Sequence, residues 1–278
     1  MLGFLLSFVG TLFGELSVSL EKTLLAHRIK RMVSIGLIQV TVAFFIYAGY
    51  ALFIRRAFLF SLASLPTFIP EAILSIFQAY IYFLAIAKAD RSTFGFIRTF
   101  TVPLMLISDI LLGYAIRPLQ LIGIILIFLV LIFLTVEKAF SKRGRWLVVL
   151  SAINSAVSLT LYKYNITHFN SVEAHQTVAF FILFIAFVIA AIATKEKPWQ
   201  LLRRPKMIAA FGCNGLAAFF EGFAYQFGVA SFIMAIQRAT TLFWAIIAGK
   251  AWFHEKHFVM KLTSLAACMA GIALLVLG

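Results

Sequence analysis

Apolar runs of about twenty residues follow one another along almost the whole chain, and this pattern limits the protein to a membrane. A helix that crosses the bilayer needs ~20 predominantly apolar residues. Runs such as LIGIILIFLVLIFLTV are apolar on every face, whereas the strands of an outer-membrane barrel alternate apolar and polar residues. Of the 278 residues, 63% are hydrophobic and 12% are charged, too few charges to cover a water-facing domain. The sequence therefore predicts an all-α integral membrane protein.

Charged residues and proline clusters divide the apolar runs into ten predicted transmembrane helices. Pro66 and Pro70 mark the start of the third, Pro118 opens the fifth, and Pro198 and Pro205 precede the eighth. The connecting loops are short and leave no room for a separate soluble domain. The predicted helices cover residues 2–21, 33–54, 69–87, 93–114, 118–136, 147–167, 174–194, 207–229, 231–251 and 258–278.

Polar residues recur in the two halves of the chain at an offset of about 140 positions. The corresponding pairs are Glu15 and Asn154 in helices 1 and 6, Gln78 and Glu221 in helices 3 and 8, and Arg98 and Arg238 in helices 4 and 9. Each half then holds five helices, an odd number, so the second copy enters the membrane from the opposite side. The sequence predicts two inverted five-helix repeats, 1–138 and 146–278, within one membrane bundle, an arrangement typical of secondary transporters.

Basic residues are distributed unevenly between alternate loops. The loops after helices 1, 3, 5, 7 and 9 carry 17 of the 24 Lys and Arg residues, whereas the other loops carry only Arg55, Arg56 and Arg117. By the positive-inside rule, both termini are expected to face outward. The net charge of +14 is thus explained by membrane orientation, and no nucleic-acid partner is expected.

Ionisable residues inside the predicted helices are the strongest functional signal, because a charge at the bilayer centre costs ~3 kcal/mol or more and faces the bundle interior. Glu15, Glu221, Arg98 and Arg238 form a nearly neutral set of this kind. We expect them to line a substrate cavity, with Glu15 or Glu221 binding and releasing a proton during transport. The alternative is that Glu221 with Arg238, or Glu15 with Arg98, forms a static ion pair that only holds helices together.

Aromatic residues are candidates for the wall of this cavity. Tyr82 and Tyr225 lie one turn after Gln78 and Glu221, on the same helix faces. With Trp244 they suit a flat or cationic substrate, although ordinary packing explains them equally well. The candidate substrate-binding or coupling residues are Glu15, Asn154, Gln78, Tyr82, Arg98, Glu221, Tyr225, Arg238 and Trp244.

Motifs for metal, cofactor or catalytic chemistry do not occur in the sequence. His254 and His257 are three residues apart, not four as in the zinc motif H-E-x-x-H. Cys213 and Cys268 lie in apolar stretches and are expected to be small buried hydrophobes. The protein is therefore predicted not to be an enzyme and to use no cofactor or metal. Without an ATPase motif, its energy is expected to come from an ion gradient or from the substrate gradient.

The last two predicted helices of each half carry a recurring pattern. Pro103, Gly113 and Gly123 mark it in the first half, and Glu255 and Gly271 in the second. This pattern resembles the drug/metabolite transporter superfamily, in its EamA-like branch. Each half of such a protein closes with a proline-containing helix, a Gly-Glu pair at the helix end and a glycine-containing helix.

Two positions depart from the family pattern. Tyr114 stands where the first half of the family has a glutamate, and the second half lacks the proline near Phe243. The resemblance implies a secondary transporter that works by alternating access, with amino acids or related zwitterionic metabolites as substrates and export favoured over import. It also implies that both termini are cytoplasmic, opposite to the orientation that the loop charges predict.

Two other functions stay open. The first is proton-coupled efflux of hydrophobic or cationic drugs, in which a carboxylate binds both the proton and the cation. The second is a membrane enzyme that acts on lipid, which would need clustered catalytic residues. The expected partners are a small-molecule substrate, the lipid bilayer and protons as the coupling ion, with the protein a monomer or a homodimer in the inner membrane of a prokaryote.

Overall fold

The computed structural model describes residues 2–25, 32–89, 91–111, 117–136, 144–253 and 258–277. The structure is 90% helical, and no strand occurs in this part of the chain. The α-helices described are α1 (Leu2–Leu25), α2 (Met32–Gly49), α3 (Leu65–Lys88), α4 (Arg91–Arg98), α5 (Thr101–Leu111), α6 (Pro118–Val136), α7 (Arg145–His168), α8 (Val172–Thr194), α9 (Trp199–Leu202), α10 (Pro205–Ala224), α11 (Ala230–Phe253) and α12 (Phe258–Leu277). A π-helical turn (Tyr50–Arg55) extends α2, and 3₁₀ turns precede α3 (Leu62–Ser64) and follow α10 (Tyr225–Phe227).

Seven helical segments in the described ranges are long and apolar enough to cross a membrane. They are Leu2–Glu21, Met32–Arg55, Leu62–Ala85, Arg145–His168, Val172–Thr194, Pro205–Phe227 and Ala230–Ala248. Shorter apolar segments cover Leu121–Val130 and Leu262–Gly271. These segments support an integral membrane protein with several spans, while the ten spans and their inverted repeat remain predictions.

Some residues named in the sequence analysis lie outside the described residues. Gly113, Tyr114 and Glu255, which bear on the family resemblance, are among them. Lys138, at the end of the first predicted repeat, is another. The structure therefore does not test the two positions at which the family has a glutamate, and it does not test the end of the first predicted repeat.

The exterior of the bundle is apolar, and its interior holds polar side chains beside a hydrophobic core. Phe53 on the π-helical turn and Ile192 on α8 expose 79% and 73% of their surface. Glu21 and Ser19 on α1 are fully buried. Lipid can cover the apolar exterior, whereas polar side chains in the spans need partners within the protein.

Four polar residues of helix α1 form one helix face, which points into the bundle. Ser7, Thr11, Glu15 and Ser19 recur every four residues and are all buried. The Thr11 hydroxyl donates to Thr240 Oγ1 on α11 at 2.8 Å, and Ser19 Oγ donates to Glu15 Oε1 at 3.0 Å. Helix α1 therefore lies inside the bundle, packed against α10 and α11.

Two glycines let α1 approach α10 closely at Glu221. A Cβ atom added to Gly10 would lie 2.8 Å from Glu221 Cγ and 3.1 Å from its backbone nitrogen. A Cβ atom added to Gly14 would lie 3.4 Å from Glu221 Oε1. Gly10-x-x-x-Gly14 is the spacing with which small residues bring membrane helices together. These glycines set the position of the Glu221 side chain against α1.

The single helix predicted over 93–114 is wrong, because a turn at residues 99–100 separates α4 from α5. Pro103 explains the break, since proline has no N–H to donate to the carbonyl of Thr99 and its ring clashes with that carbonyl. The Thr99 carbonyl accepts from the N–H of Val102 instead, at 3.0 Å. Helix α11, which corresponds to α4 and α5 in the predicted repeat, has no proline and runs unbroken.

Candidate functional site

A cavity of about 410 Å³ lies between helices α1, α3, α4, α7, α8, α10 and α11, together with the 3₁₀ turn after α10. Seven of the nine candidate residues from the sequence line it, and Asn154 and Trp244 do not. The seven are Glu15, Gln78, Tyr82, Arg98, Glu221, Tyr225 and Arg238. The fold thus brings charges from both halves of the chain to one cavity.

The two arginines of the cavity have different surroundings. The guanidinium carbon of Arg98, at the end of α4, lies 5.3 Å from the ring centroids of both Tyr82 and Phe94. Arg238 on α11 is 8% exposed, and its Nε, like the Nε of Arg98, has no hydrogen-bond partner among the described residues. A buried guanidinium with an unused donor is unfavourable unless a ligand or water satisfies it. Both arginines are therefore candidates for binding an anionic group, and Arg238 is the more deeply buried of the two.

Glu221 on α10 presents its carboxylate to the cavity. No ion pair within 4.0 Å joins it to Arg238, so the structure does not contain that static pair. Gln237 connects the surrounding elements, because its Nε2 donates to the Glu221 carbonyl at 3.2 Å and its Oε1 accepts from the Tyr225 hydroxyl at 3.2 Å. The backbone of Glu221 is held while its carboxylate stays available to a ligand.

Asn154 lies behind the cavity wall and does not form part of it. Its Nδ2 donates to Gln78 Oε1 and to the Leu74 carbonyl, both at 2.9 Å. Gln78 Nε2 in turn donates to Ser151 Oγ at 2.8 Å. Because both ends of the Gln78 amide are held from α7, Asn154 positions a lining residue and does not itself meet a ligand.

Trp244 is a second correction to the candidate set, because it packs away from the cavity. Its ring centroid lies 5.4 Å from that of Phe8 and 4.9 Å from that of Phe243. The α11 residues that line the cavity lie between Met234 and Thr241, and Trp244 comes nearly one turn after the last of them. Aromatic packing thus explains this residue.

Polar residues that the sequence reasoning missed complete the cavity wall. They are Thr11, Ser155, Ser158, Tyr162, Gln176, Asn214, Gln237 and Thr241. Helix periodicity is the signal that would have found several of them, because Asn214 lies two turns before Glu221 on the same face of α10. No group of three or more potential metal ligands occurs in the described ranges of the chain. Amides, hydroxyls and four charged side chains are the chemistry that this cavity offers a ligand.

Comparisons with known proteins show that the fold is shared with another protein, but they do not indicate a function. No protein-family model matches the chain, and no curated protein matches it. The chain is similar to a protein of known crystal structure, with 16% sequence identity, 99% of each chain covered and a TM-score of 0.67. At this identity the likeness shows a shared fold over nearly the whole length, because folds host many functions and only a site specifies one.

Proposed function

We propose that the protein is a secondary transporter of the drug/metabolite type that moves a small zwitterionic metabolite, such as an amino acid, across a membrane. The observation that carries this proposal is the cavity of about 410 Å³, in which two carboxylates and two guanidinium groups face the same space. Intramembrane charges of this kind mark substrate and ion pathways. The sequence resemblance to the EamA-like branch supports the same class.

The charge set favours a zwitterion over other ligands. A substrate carboxylate would bind Arg238, whose Nε has no hydrogen-bond partner in the described part of the chain. A substrate ammonium group would bind Glu221 or Glu15, and Tyr82 and Tyr225 would face its apolar part. A cationic drug would meet two guanidinium groups in the same cavity, which disfavours the efflux alternative.

Helix contacts support two inverted repeats, 1–138 and 146–278, as the basis of alternating access. If the first five predicted helices correspond to the last five, contacts between α1 and α10 correspond to contacts between α3 and α7. Contacts between α1 and α11 likewise correspond to contacts of α4 and α5 with α7. Exchanging the two repeats leaves three further sets of contacts unchanged, because each joins a helix to its own counterpart. These are the contacts between α2 and α8, between α6 and α12, and of α11 with α4 and α5. All of these contacts are present.

The proposed transport cycle exposes the cavity to one side of the inner membrane of a prokaryote and then to the other, in the direction of export. A proton on Glu15 or Glu221 would supply the coupling. The break between α4 and α5 lies directly after Arg98, and interrupted helices commonly border transporter binding sites.

Ligand-induced stabilisation followed by transport in proteoliposomes tests the proposal. Purified protein is first screened by thermal shift against amino acids, nucleosides and quaternary amines, because a ligand that binds the native state raises the melting temperature. Stabilising compounds are then tested for counterflow, with protein-free liposomes as the control. We expect stabilisation and counterflow with zwitterions. A response to quaternary amines alone would favour drug efflux. If none of the tested compounds shows counterflow, transport would be contradicted.

A further inference from the structure

A second buried polar cluster lies between α3, α7 and α8, apart from the charges of the cavity. His175 is fully buried, and its Nε2 lies 2.8 Å from Glu71 Oε1. Asn165 Nδ2 donates to the other oxygen of Glu71 at 2.8 Å. The rings of Phe68 and Tyr162 pack against the imidazole, with centroids 5.0 and 5.1 Å away. Ionisable groups buried in a membrane bundle are functional candidates because they are costly to keep there.

The hydrogen bonds around His175 determine which nitrogen carries the proton. The backbone N–H of Ser61 donates to Asn170 Oδ1 at 2.8 Å, so the amide nitrogen of Asn170 faces His175 Nδ1, at 3.2 Å. An amide NH₂ group only donates, and Nδ1 must therefore accept. The ring proton is then on Nε2 and is donated to Glu71. The cluster thus holds a neutral imidazole beside a carboxylate that accepts at both oxygens.

A further proton can bind His175 only at Nδ1. The new N–H group would then face the NH₂ group of Asn170, and two hydrogen-bond donors would point at each other. Rotation of this amide by half a turn would relieve the conflict, but it would also turn the NH₂ group toward the N–H of Ser61 and break that hydrogen bond. The broken bond is one of two that hold segment 56–61 to the turn after α7. The other runs from the N–H of Ser171 to the carbonyl of Leu59, at 2.9 Å.

Other charged and titratable groups lie on the elements that pack around His175. Glu71 faces it from α3, and the Tyr162 hydroxyl belongs to α7. Glu173, on α8, is 1% exposed and lies 3.7 Å from Arg55 Nε in the π-helical turn, and its Oε2 has no hydrogen-bond partner among the described residues. The Arg55 side chain is 58% exposed and therefore well screened by solvent.

The cluster is also in contact with the cavity wall. Tyr162, which packs against the His175 ring, lines the cavity, and so does Gln176, the next residue along α8. The Tyr162 hydroxyl donates to the Gly222 carbonyl at 3.1 Å, directly after Glu221. A change at His175 can thus reach the cavity through adjoining side chains.

We propose that His175 and Glu71 form a proton-binding site, separate from Glu15 and Glu221, whose protonation breaks the Ser61–Asn170 hydrogen bond between segment 56–61 and the turn that joins α7 to α8. The proton site stands on its own hydrogen bonds. Its use in coupling transport to a proton gradient rests on the function proposed above. A histidine suits this task because an imidazole changes charge between about pH 5 and pH 8.

Hydrogen exchange of purified protein in lipid nanodiscs tests the proton site without any substrate. Amide protection in segment 56–64 is measured at about pH 7.5 and about pH 5.5 and corrected for the intrinsic pH dependence of exchange. We expect protection to fall about fivefold or more on acidification, as loss of a hydrogen bond implies. His175→Gln still donates to Glu71 but binds no proton, so its protection should not change with pH. His168→Gln alters an exposed histidine on α7 and should behave as the wild type.

Asn170→Asp is a second variant that leaves His175 in place. Its carboxylate accepts from Ser61 with one oxygen and from a protonated Nδ1 with the other, so segment 56–64 should stay protected at low pH. Unchanged protection in the wild type, or an equal fall in His175→Gln or Asn170→Asp, would overturn the proposal.

Transport assays separate this inference from the proposed function. In proteoliposomes, His175→Gln should retain substrate counterflow but lose the stimulation of uptake by an imposed proton gradient, whereas His168→Gln should keep both. Undiminished stimulation in His175→Gln would overturn the coupling role. An absence of counterflow in every protein, wild type included, would contradict the proposed function, and the exchange measurement would then decide the proton site alone.

Discussion

Asn154 Nδ2 donates to Gln78 Oε1 at 2.9 Å and so joins α7 to α3. In the proposed repeat these two amides correspond to Glu15 and Glu221, which lie on α1 and α10. One helix pair is closed by a neutral amide contact, whereas the matching pair presents two carboxylates to the cavity. Such a difference would give one repeat-related pair a structural role and the other a role in binding.

The amide contact predicts a coupling between Asn154 and Gln78 in stability. Asn154→Ala should lower the free energy of unfolding by about 1 kcal/mol, because it leaves the Gln78 Oε1 and the Leu74 carbonyl without this donor. A double-mutant cycle with Gln78→Ala, followed by denaturation in detergent, measures the coupling. Asn214→Ala is the control, because Asn214 makes no hydrogen bond within the described part of the chain. Additive effects of the two substitutions would contradict the contact.

Glu221→Gln is expected to abolish gradient-driven uptake and to leave the fold intact. The substitution keeps the shape of the side chain but removes its charge and replaces one acceptor oxygen with an NH₂ donor. Glu196→Gln serves as the control, because Glu196 binds Ser34 at 2.6 and 2.8 Å and is not part of the cavity wall. Uptake in proteoliposomes is measured for both, with melting temperature as the check on folding. Normal uptake by Glu221→Gln would exclude a role in coupling.

Arg238 and Trp244 are expected to differ in their effect on substrate affinity, although both lie on α11. Arg238→Met should raise KM for a zwitterionic substrate about tenfold or more, since it removes a charge-assisted hydrogen bond. Trp244→Phe should leave KM unchanged, because the indole contacts Phe8 and Phe243 and does not line the cavity. Concentration-dependent uptake measures both values. If the KM of Arg238→Met equals that of the wild type, Arg238 does not bind the substrate and has only a structural role.

Close packing of α1 against α10 predicts opposite effects for two glycine substitutions. Gly10→Ala should destabilise the protein by about 1–3 kcal/mol, because its Cβ would overlap Glu221. Gly212→Ala, on α10 itself, meets nothing within 4 Å and should be neutral or stabilising by up to about 1 kcal/mol through helix propensity. Melting temperatures in detergent provide the comparison. Equal effects would mean that α1 does not approach α10 this closely.

Cysteine labelling tests the orientation predicted from the loop charges. Trp199→Cys, in the basic loop region between α8 and α10, should react with a membrane-impermeant maleimide only after the cells are permeabilised. Phe58→Cys, in segment 56–61, should react in intact cells. Both native side chains are exposed, at 59% and 49%, and both variants require Cys213 and Cys268 to be replaced. The opposite pattern would place both termini in the cytoplasm, as the family resemblance implies.

Much of the candidate cavity was predictable because two physical rules act on single helices. Charges within a membrane span turn toward the bundle interior, and helix periodicity keeps residues four apart on one face. Gln78 with Tyr82, and Glu221 with Tyr225, follow both rules and line the same cavity. The break after Arg98 was also encoded locally, by Pro103, but the apolar run around it concealed the turn.

The sequence by itself determined that the chain forms apolar helices, because a backbone in lipid must satisfy its hydrogen bonds within each segment. It also determined that Glu15, Arg98, Glu221 and Arg238 turn inward, because lipid does not solvate charge. Only the tertiary structure decided which partner each buried polar group meets. Glu71 and His175 are 104 positions apart and bond because α3 and α8 come together, a contact that no periodicity within either helix specifies.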